Sequence, residues 1–169
     1  MSNIYYLVSK NIPRSKKVVR RQIEPDPIYN SRLLARFTNR VMVDGKKSVA
    51  QGLVYEALEE IEKQSKNPLS VFELAVNNAM PKMEVRPRRI GGASYQIPVE
   101  VRGERREALA IRWLIGAARA RSNKEYHTFG KKLAAELLEA SEGRGAAIKK
   151  KEDILRTAEA NRAFAHFKW

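Results

Sequence analysis

The sequence predicts a mainly α protein: a six-helix bundle with a protruding β-hairpin between the third and fourth helices. Two observations predict it. Apolar residues recur at three- and four-residue spacing through six separate segments, as in helices with one buried face. Residues 82–101 alternate in polarity instead, in two short runs joined at Gly91-Gly92. Paired glycines supply the positive φ angles of a tight hairpin turn. A lone two-stranded ribbon is marginal in water, so it is expected to lean on the helical body.

Residues 1–24 carry Lys10, Arg14, Lys16, Lys17, Arg20 and Arg21 against a single Glu24, without periodicity. This reads as a basic arm, disordered when free and ordered on a partner. Residues 25–169 read as a single helical domain, long enough for a real core. Asp26-Pro27 is expected to open the first helix, Asp as N-cap and Pro at the first helical position. Leu34, Phe37 and Val41 share one face, and Arg32, Arg36 and Arg40 form an adjacent stripe. Asp44-Gly45 ends this helix. The second, from about Ser48 to Ser65, buries Ala50, Leu53, Val54, Ala57, Leu58 and Ile61 and turns Glu56, Glu59, Glu60 and Glu62 outward.

Asn67-Pro68 caps the third helix, which points Phe72, Ala75, Val76 and Ala79 inward and is closed by Pro81. After the hairpin, the fourth begins near Gly103, with Ile111, Leu114, Ile115 and Ala118 on its core face. Arg105, Arg112 and Arg119 recur every seven residues and line another stripe. Gly116 lies on that stripe and would admit a close backbone approach. The fifth helix carries Ala134, Leu137, Leu138 and Ser141 and ends at Gly143. Lys149-Lys150-Lys151 leads into the last, which finishes in Phe164, His166, Phe167 and Trp169.

Charge points to a partner. Lys and Arg number 33 against 19 Asp and Glu, a net charge of +14 and a pI near 10.2, so a polyanion is expected. Cysteine is absent, which excludes disulfides, thiolate metal sites and a cysteine nucleophile. No apolar run approaches a membrane span, and Ile4–Val8 is too short for a signal-peptide core. Gly45-Lys46-Lys47-Ser48 resembles the end of a phosphate-binding loop, but Arg40 stands where that loop needs glycine. A basic helix start able to meet phosphate is what remains. His127 and His166 lack metal-ligand spacing. The glutamates are expected on solvated faces, and no nucleophile–base constellation can be assembled. The residues therefore argue against an enzyme and call for no cofactor.

The arm, both stripes, the lysine run and the hairpin residues Arg86, Arg88 and Arg89 suit a nucleic acid, because the arginine fork bonds phosphate bidentately. Charged helix faces also serve solubility. Tyr95 is either a base-stacking platform or a strand residue packed inward. The tail aromatics either contact RNA or seal the core, and Trp113 reads as core or partner-facing. A basic module for DNA or anionic membranes is the alternative. No helix-turn-helix spacing stands out, and the stripes lie beside core faces, not opposite exposed apolar ones.

The residues also carry a resemblance. Asp-Pro-Ile-Tyr-Asn-Ser (26–31), Val-Asp-Gly-Lys-Lys-Ser (43–48), Arg-Arg-Ile-Gly-Gly-Ala (88–93), Tyr-Gln-Ile-Pro-Val-Glu-Val (95–101), Ala-Leu-Ala-Ile-Arg-Trp-Leu (108–114), Gly-Ala-Ala-Ile-Lys-Lys (145–150) and Ala-Glu-Ala-Asn-Arg-Ala-Phe-Ala-His-Phe (158–167) stand in family order. Over residues 26–169 the chain closely resembles small-subunit ribosomal protein seven of bacterial and organellar type. The resemblance implies a primary binder of small-subunit ribosomal RNA that nucleates assembly of the head, the 3′ major domain. It implies a place at the subunit interface near exit-site tRNA and the mRNA path, beside neighbouring small-subunit ribosomal proteins and away from membranes. The compartment would be the bacterial cytoplasm, or a plastid or mitochondrial ribosome.

Carried onto matching positions, the resemblance assigns ribosomal RNA contacts to the arm (Lys16, Lys17, Arg20, Arg21) and the first helix (Arg32, Arg36, Arg40). It adds the hairpin (Arg86, Arg88, Arg89) and the fourth helix (Arg105, Arg112, Arg119); Lys46 and Lys47 at their helix start, and Lys149 and Lys150 of the lysine run, are expected on the same RNA by their charge. The hairpin tip (Ile90, Gly91, Gly92, Ala93) and the chain end (Arg162, His166, Trp169) would lie near tRNA and mRNA. The chain departs from the pattern in its longer arm, in a longer Ser122–Lys132 segment, and in Ile154-Leu155 where Thr-His is common.

Overall fold

The computed structural model describes residues 22–64 and 67–167. Among them are six α-helices: α1 (Arg32–Val41), α2 (Lys47–Glu62), α3 (Pro68–Ala79), α4 (Glu104–Ala120), α5 (Phe129–Ser141) and α6 (Ala146–Ala160). Strands β1 (Met83–Ile90) and β2 (Ala93–Glu100) stand between α3 and α4, and a 3₁₀ turn (Arg162–Phe167) follows α6. The expected architecture is the observed one.

α5 is the central helix, packed on α2, α3 and α4, while α1 closes over α2 and α4. Leu34, Phe37, Leu58, Ile61, Phe72, Leu114, Leu133 and Leu137 fill the core. Phe37 meets Phe72 edge-on, with ring centroids 5.2 Å apart, the arrangement favoured by aromatic quadrupoles. Leu53 and Leu138, expected in the core, are half-buried at its margin.

The start of α1 corrects one expectation. Asp26 caps a separate turn, its Oδ2 accepting from the backbone N–H of Ile28 and Tyr29, each at 3.2 Å. Asn30, at φ 48°, breaks the chain before the helix begins. Ser31 is the true N-cap, its Oγ accepting from the Leu34 N–H at 3.3 Å. The other oxygen of Asp26 accepts from the Tyr55 hydroxyl at 2.9 Å. Burial, then this bond to a carboxylate, pushes the Tyr55 phenol up to about 12. Asn67 and Pro68 open α3 as expected, the Asn67 side chain accepting from the Ser70 N–H at 3.2 Å. α2 ends at Glu62, short of Ser65.

The hairpin is antiparallel, in register from Met83↔Glu100 to Ile90↔Ala93. Gly91 and Gly92 turn it with φ 56° and 93°, the double positive φ of a two-residue hairpin loop. Pro87 and Pro98 are tolerated because each strand of a ribbon has an unpaired edge. α6 packs on both strands. Glu84, Ile97 and Pro98 are buried at the base, whereas Arg86–Arg89 and Gly91–Ser94 stand exposed.

A second correction concerns the glutamates. Glu136 on α5 is fully buried. Its Oε2 accepts from Arg121 Nε at 2.9 Å and Nη2 at 2.7 Å, and its Oε1 accepts from the Ala147 N–H at 2.9 Å. α6 has Gly145 at its N-cap and no capping side chain of its own, so Glu136 caps it from another helix. Burial works against the charge of Arg121, but the hydrogen bonds of Glu139 and Glu136 prevail and raise its pKa above the ordinary value. Charged and amide donors replace the water that this carboxylate gives up.

Candidate nucleic-acid interface

The two arginine stripes meet. α1 and α4 lie side by side, with Arg36 touching Glu107 and the Val41 carbonyl accepting from Arg119 Nη2 at 3.2 Å. Between them runs a groove of about 510 Å³, walled by Arg32, Arg36 and Arg40 on one side and Arg112 on the other. Ile23, Ala108 and Ile111 contribute apolar surface, and Glu104 and Glu107 stand at the start of α4. Arg40 and Arg112 also line an adjoining recess of about 390 Å³ with Gly116 and Arg119. A Cβ added at Gly116 would meet nothing within 4 Å. That position is open, with no close approach by the protein's own backbone.

The arginines are not equivalent. Arg32, Arg40, Arg112 and Arg119 are exposed. Arg36 Nη1 donates to both oxygens of Glu107, at 3.0 and 2.9 Å, and Arg36 Nη2 lies 3.8 Å from Glu104. Arg105 turns to the hairpin base, where its Nη2 donates to Glu84 at 2.8 Å. Arg86 Nε donates to the same carboxylate at 2.6 Å. Burial alone would raise the Glu84 pKa; hydrogen bonds from Arg105 and Arg86 outweigh it and hold the carboxyl below its ordinary value. Sequence reasoning missed Glu84, Glu104 and Glu107. The available signal for Glu84 was its position two residues before Arg86, which puts both on one strand face.

The remaining expected residues are dispersed. Lys46 and Lys47 are exposed where α2 begins. Arg88 and Arg89 are exposed on β1, with Arg89 Nε donating to the Gly92 carbonyl at 3.3 Å. Gly91, Gly92 and Ala93 are exposed at the tip, and Ile90 is half-buried. On α6, Lys149 and Lys150 are exposed, whereas Lys151 Nζ donates inward to the Asn78 carbonyl at 2.6 Å. Arg162 and His166 are exposed in the terminal turn, with His166 Nδ1 2.7 Å from the Ala163 carbonyl oxygen. Lys16, Lys17, Arg20, Arg21 and Trp169 lie outside the described residues.

Two of the aromatic residues can be placed. Tyr95 packs inward on Phe164, ring centroids 5.1 Å apart, so the terminal turn braces β2. Trp113 is half-buried against the core.

Similarity to known proteins follows the same lines. The family model for ribosomal protein S7p/S5e matches residues 13–162. Small ribosomal subunit protein uS7 of Acetivibrio thermocellus is 54% identical over 159 residues, covering 94% of this chain and 100% of the relative. The uS7 of Caldicellulosiruptor saccharolyticus is 55% identical over 159 residues, with 94% and 100% covered. That of Xanthobacter autotrophicus is 57% identical over 157 residues, with 92% and 99% covered. Matches of this extent across the arm's end, both arginine helices and the hairpin mean that the chain belongs to the ribosomal protein S7p/S5e family.

Proposed function

We propose that this protein is a structural, non-catalytic constituent of the small ribosomal subunit and binds small-subunit ribosomal RNA in the cytoplasm. Within that role it is a primary binder that nucleates assembly of the head. It lies at the subunit interface, near exit-site tRNA and the mRNA path, beside neighbouring small-subunit ribosomal proteins.

The observation that carries this reading is the convergence of Arg32, Arg40, Arg112 and Arg119 along one α1–α4 groove. Both helices are seated on the core, so the backbone positions from which these arginines project hold a fixed spacing. A phosphate backbone laid along them gives up its counterions, which supplies affinity, while the rigid spacing selects RNA shape. Lys46, Lys47, Lys149 and Lys150, with Lys16, Lys17, Arg20 and Arg21 of the arm, extend the phosphate track. Arg86, Arg88 and Arg89 carry it onto the hairpin. The tip, Ile90 to Ala93, and the chain end with Arg162, His166 and Trp169 face tRNA and mRNA.

Footprinting of the purified protein on small-subunit ribosomal RNA tests this. Protection confined to the 3′ major domain is expected, with a log–log salt slope on the order of −5. Protection spread over other domains, or none, overturns it.

A further inference from the structure

We propose that Glu84 is the positioning residue of a two-arginine phosphate clamp, in which Arg86 of β1 and Arg105 of α4 are held side by side to grip one phosphodiester of ribosomal RNA. This rests on the RNA-binding role proposed above and names how two of its arginines act together.

The three side chains come from two elements and meet at one atom. Glu84 Oε1 accepts from Arg86 Nε at 2.6 Å and from Arg105 Nε at 3.1 Å. The two Nε atoms can therefore be no further apart than the sum of those distances. Oε2 holds Arg105 again, through Nε at 3.0 Å and Nη2 at 2.8 Å. Like charges repel, so two cations this close need an anion beside them. Glu84 is one such anion, and it is buried. Two guanidinium groups against one carboxylate leave one positive charge over, which matches the single negative charge of a phosphodiester.

The donors are not used up. A guanidinium carries five N–H groups. Arg86 gives Glu84 only its Nε–H, and its Nη1 and Nη2 have no partner among the described residues. Arg105 Nη1 is likewise without one. Both arginine side chains are 50% exposed, against 9% for that of Glu84. The carboxylate thus lies below the surface and its two partners stand at it, with fork N–H groups to spare. Phosphate oxygens are bonded bidentately by such forks.

Anchoring the hairpin does not account for the whole arrangement. Arg105 alone ties β1 to α4, and it engages both oxygens of Glu84. Arg86 stands two residues from Glu84 on the same strand, so their bond spans no second element. What that bond does is aim one guanidinium at the place where another already stands. Arg88, next on the same strand face, is exposed and continues the row of cations along the ribbon.

The test uses the full chain and a transcript of the 3′ major domain, with affinity read by filter binding and the hairpin followed by hydrogen exchange. Arg86→Ala is expected to bind about tenfold more weakly, the loss of one charge-assisted contact, while exchange in residues 83–100 stays as in the parent. Glu84→Gln removes a negative charge, which by net charge alone would tighten binding to a polyanion. It is expected instead to weaken binding several-fold, with circular dichroism unchanged. The double variant Glu84→Gln/Arg86→Ala is expected to lose less than the product of the two single losses, because both act on one contact. Parent-like binding by Arg86→Ala, or equal or tighter binding by Glu84→Gln, overturns the clamp and leaves the RNA role standing. Losses that multiply in the double variant also overturn it, since Glu84 would then act only through the attachment of the hairpin. Failure of the unaltered protein to bind the transcript sinks the RNA role and this proposal with it.

Discussion

Glu84 at the base of β1 and Arg105 in the first turn of α4 are joined through both carboxylate oxygens, Nη2 at 2.8 Å and Nε at 3.0 and 3.1 Å. The pair fastens the ribbon to the helix that carries the groove. Arg86 adds a third donor group at 2.6 Å. Two arginines expected on RNA thus also set the attitude of the hairpin.

The first prediction follows from the depressed pKa of Glu84, whose ordinary value is 4.5. A carboxyl held lower in the folded than in the unfolded chain stabilises the fold above the unfolded value. That contribution fades as pH falls through about 4.5 and is gone below the folded value. Hydrogen exchange of residues 83–100, corrected for intrinsic rates, should quicken over that acid range. In Glu84→Gln it should be fast already at neutral pH, with less dependence on acid.

Removing Glu136 should be far costlier. Glu136→Ala leaves the Ala147 N–H without its acceptor and the half-buried Arg121 guanidinium with Glu139 alone, a loss of about 1–3 kcal/mol. Urea denaturation measures it. Replacing both members with apolar residues, Glu136→Leu with Arg121→Met, should recover part of the loss, because the half-satisfied guanidinium goes too. A single variant within about 0.5 kcal/mol of the parent would mean that α6 is capped in another way.

These two carboxylates also mark where the sequence stopped being legible. Helix cores, the Asn67-Pro68 start and the Gly91-Gly92 turn were readable, since each is decided by local chemistry within a few residues. Asp26-Pro27 satisfied the local rule for a helix start, yet Asp26 capped a turn and reached Tyr55 instead. Glu136 looked like any glutamate on a solvated helix face, because its donors come from residues 121 and 147, on other elements. The stripes were legible as stripes; that α1 and α4 meet, and that Arg105 turns away to Glu84, depended on tertiary packing.

The exposed arginines separate binding from folding. Arg40→Glu with Arg112→Glu should shift stability by no more than about 0.5 kcal/mol per site and abolish ribosomal RNA binding in a filter assay. Arg36→Glu should behave differently. It sets a third carboxylate beside Glu104 and Glu107, so its thermal melt should fall visibly below that of the double variant.

At the far side of the ribbon, Phe164→Ala removes the ring that meets Tyr95. An aromatic pair contributes about 0.5–1.5 kcal/mol beyond area burial, so exchange in β2 should rise several-fold while the helical core stays protected. Unchanged exchange in β2 would show that α6 and the Glu84–Arg105 pair hold the ribbon without this ring.

That brace has a consequence in time. Chains are made from the N-terminus, so residues 83–100 exist well before residue 164 does. A nascent chain can complete its helical core and close its glycine turn while the outer ribbon still lacks its support. A chain stopped short of Phe164 would look folded by its helix content and yet present a loose ribbon to its partners. A segment synthesised after the core thus sets the posture of the hairpin.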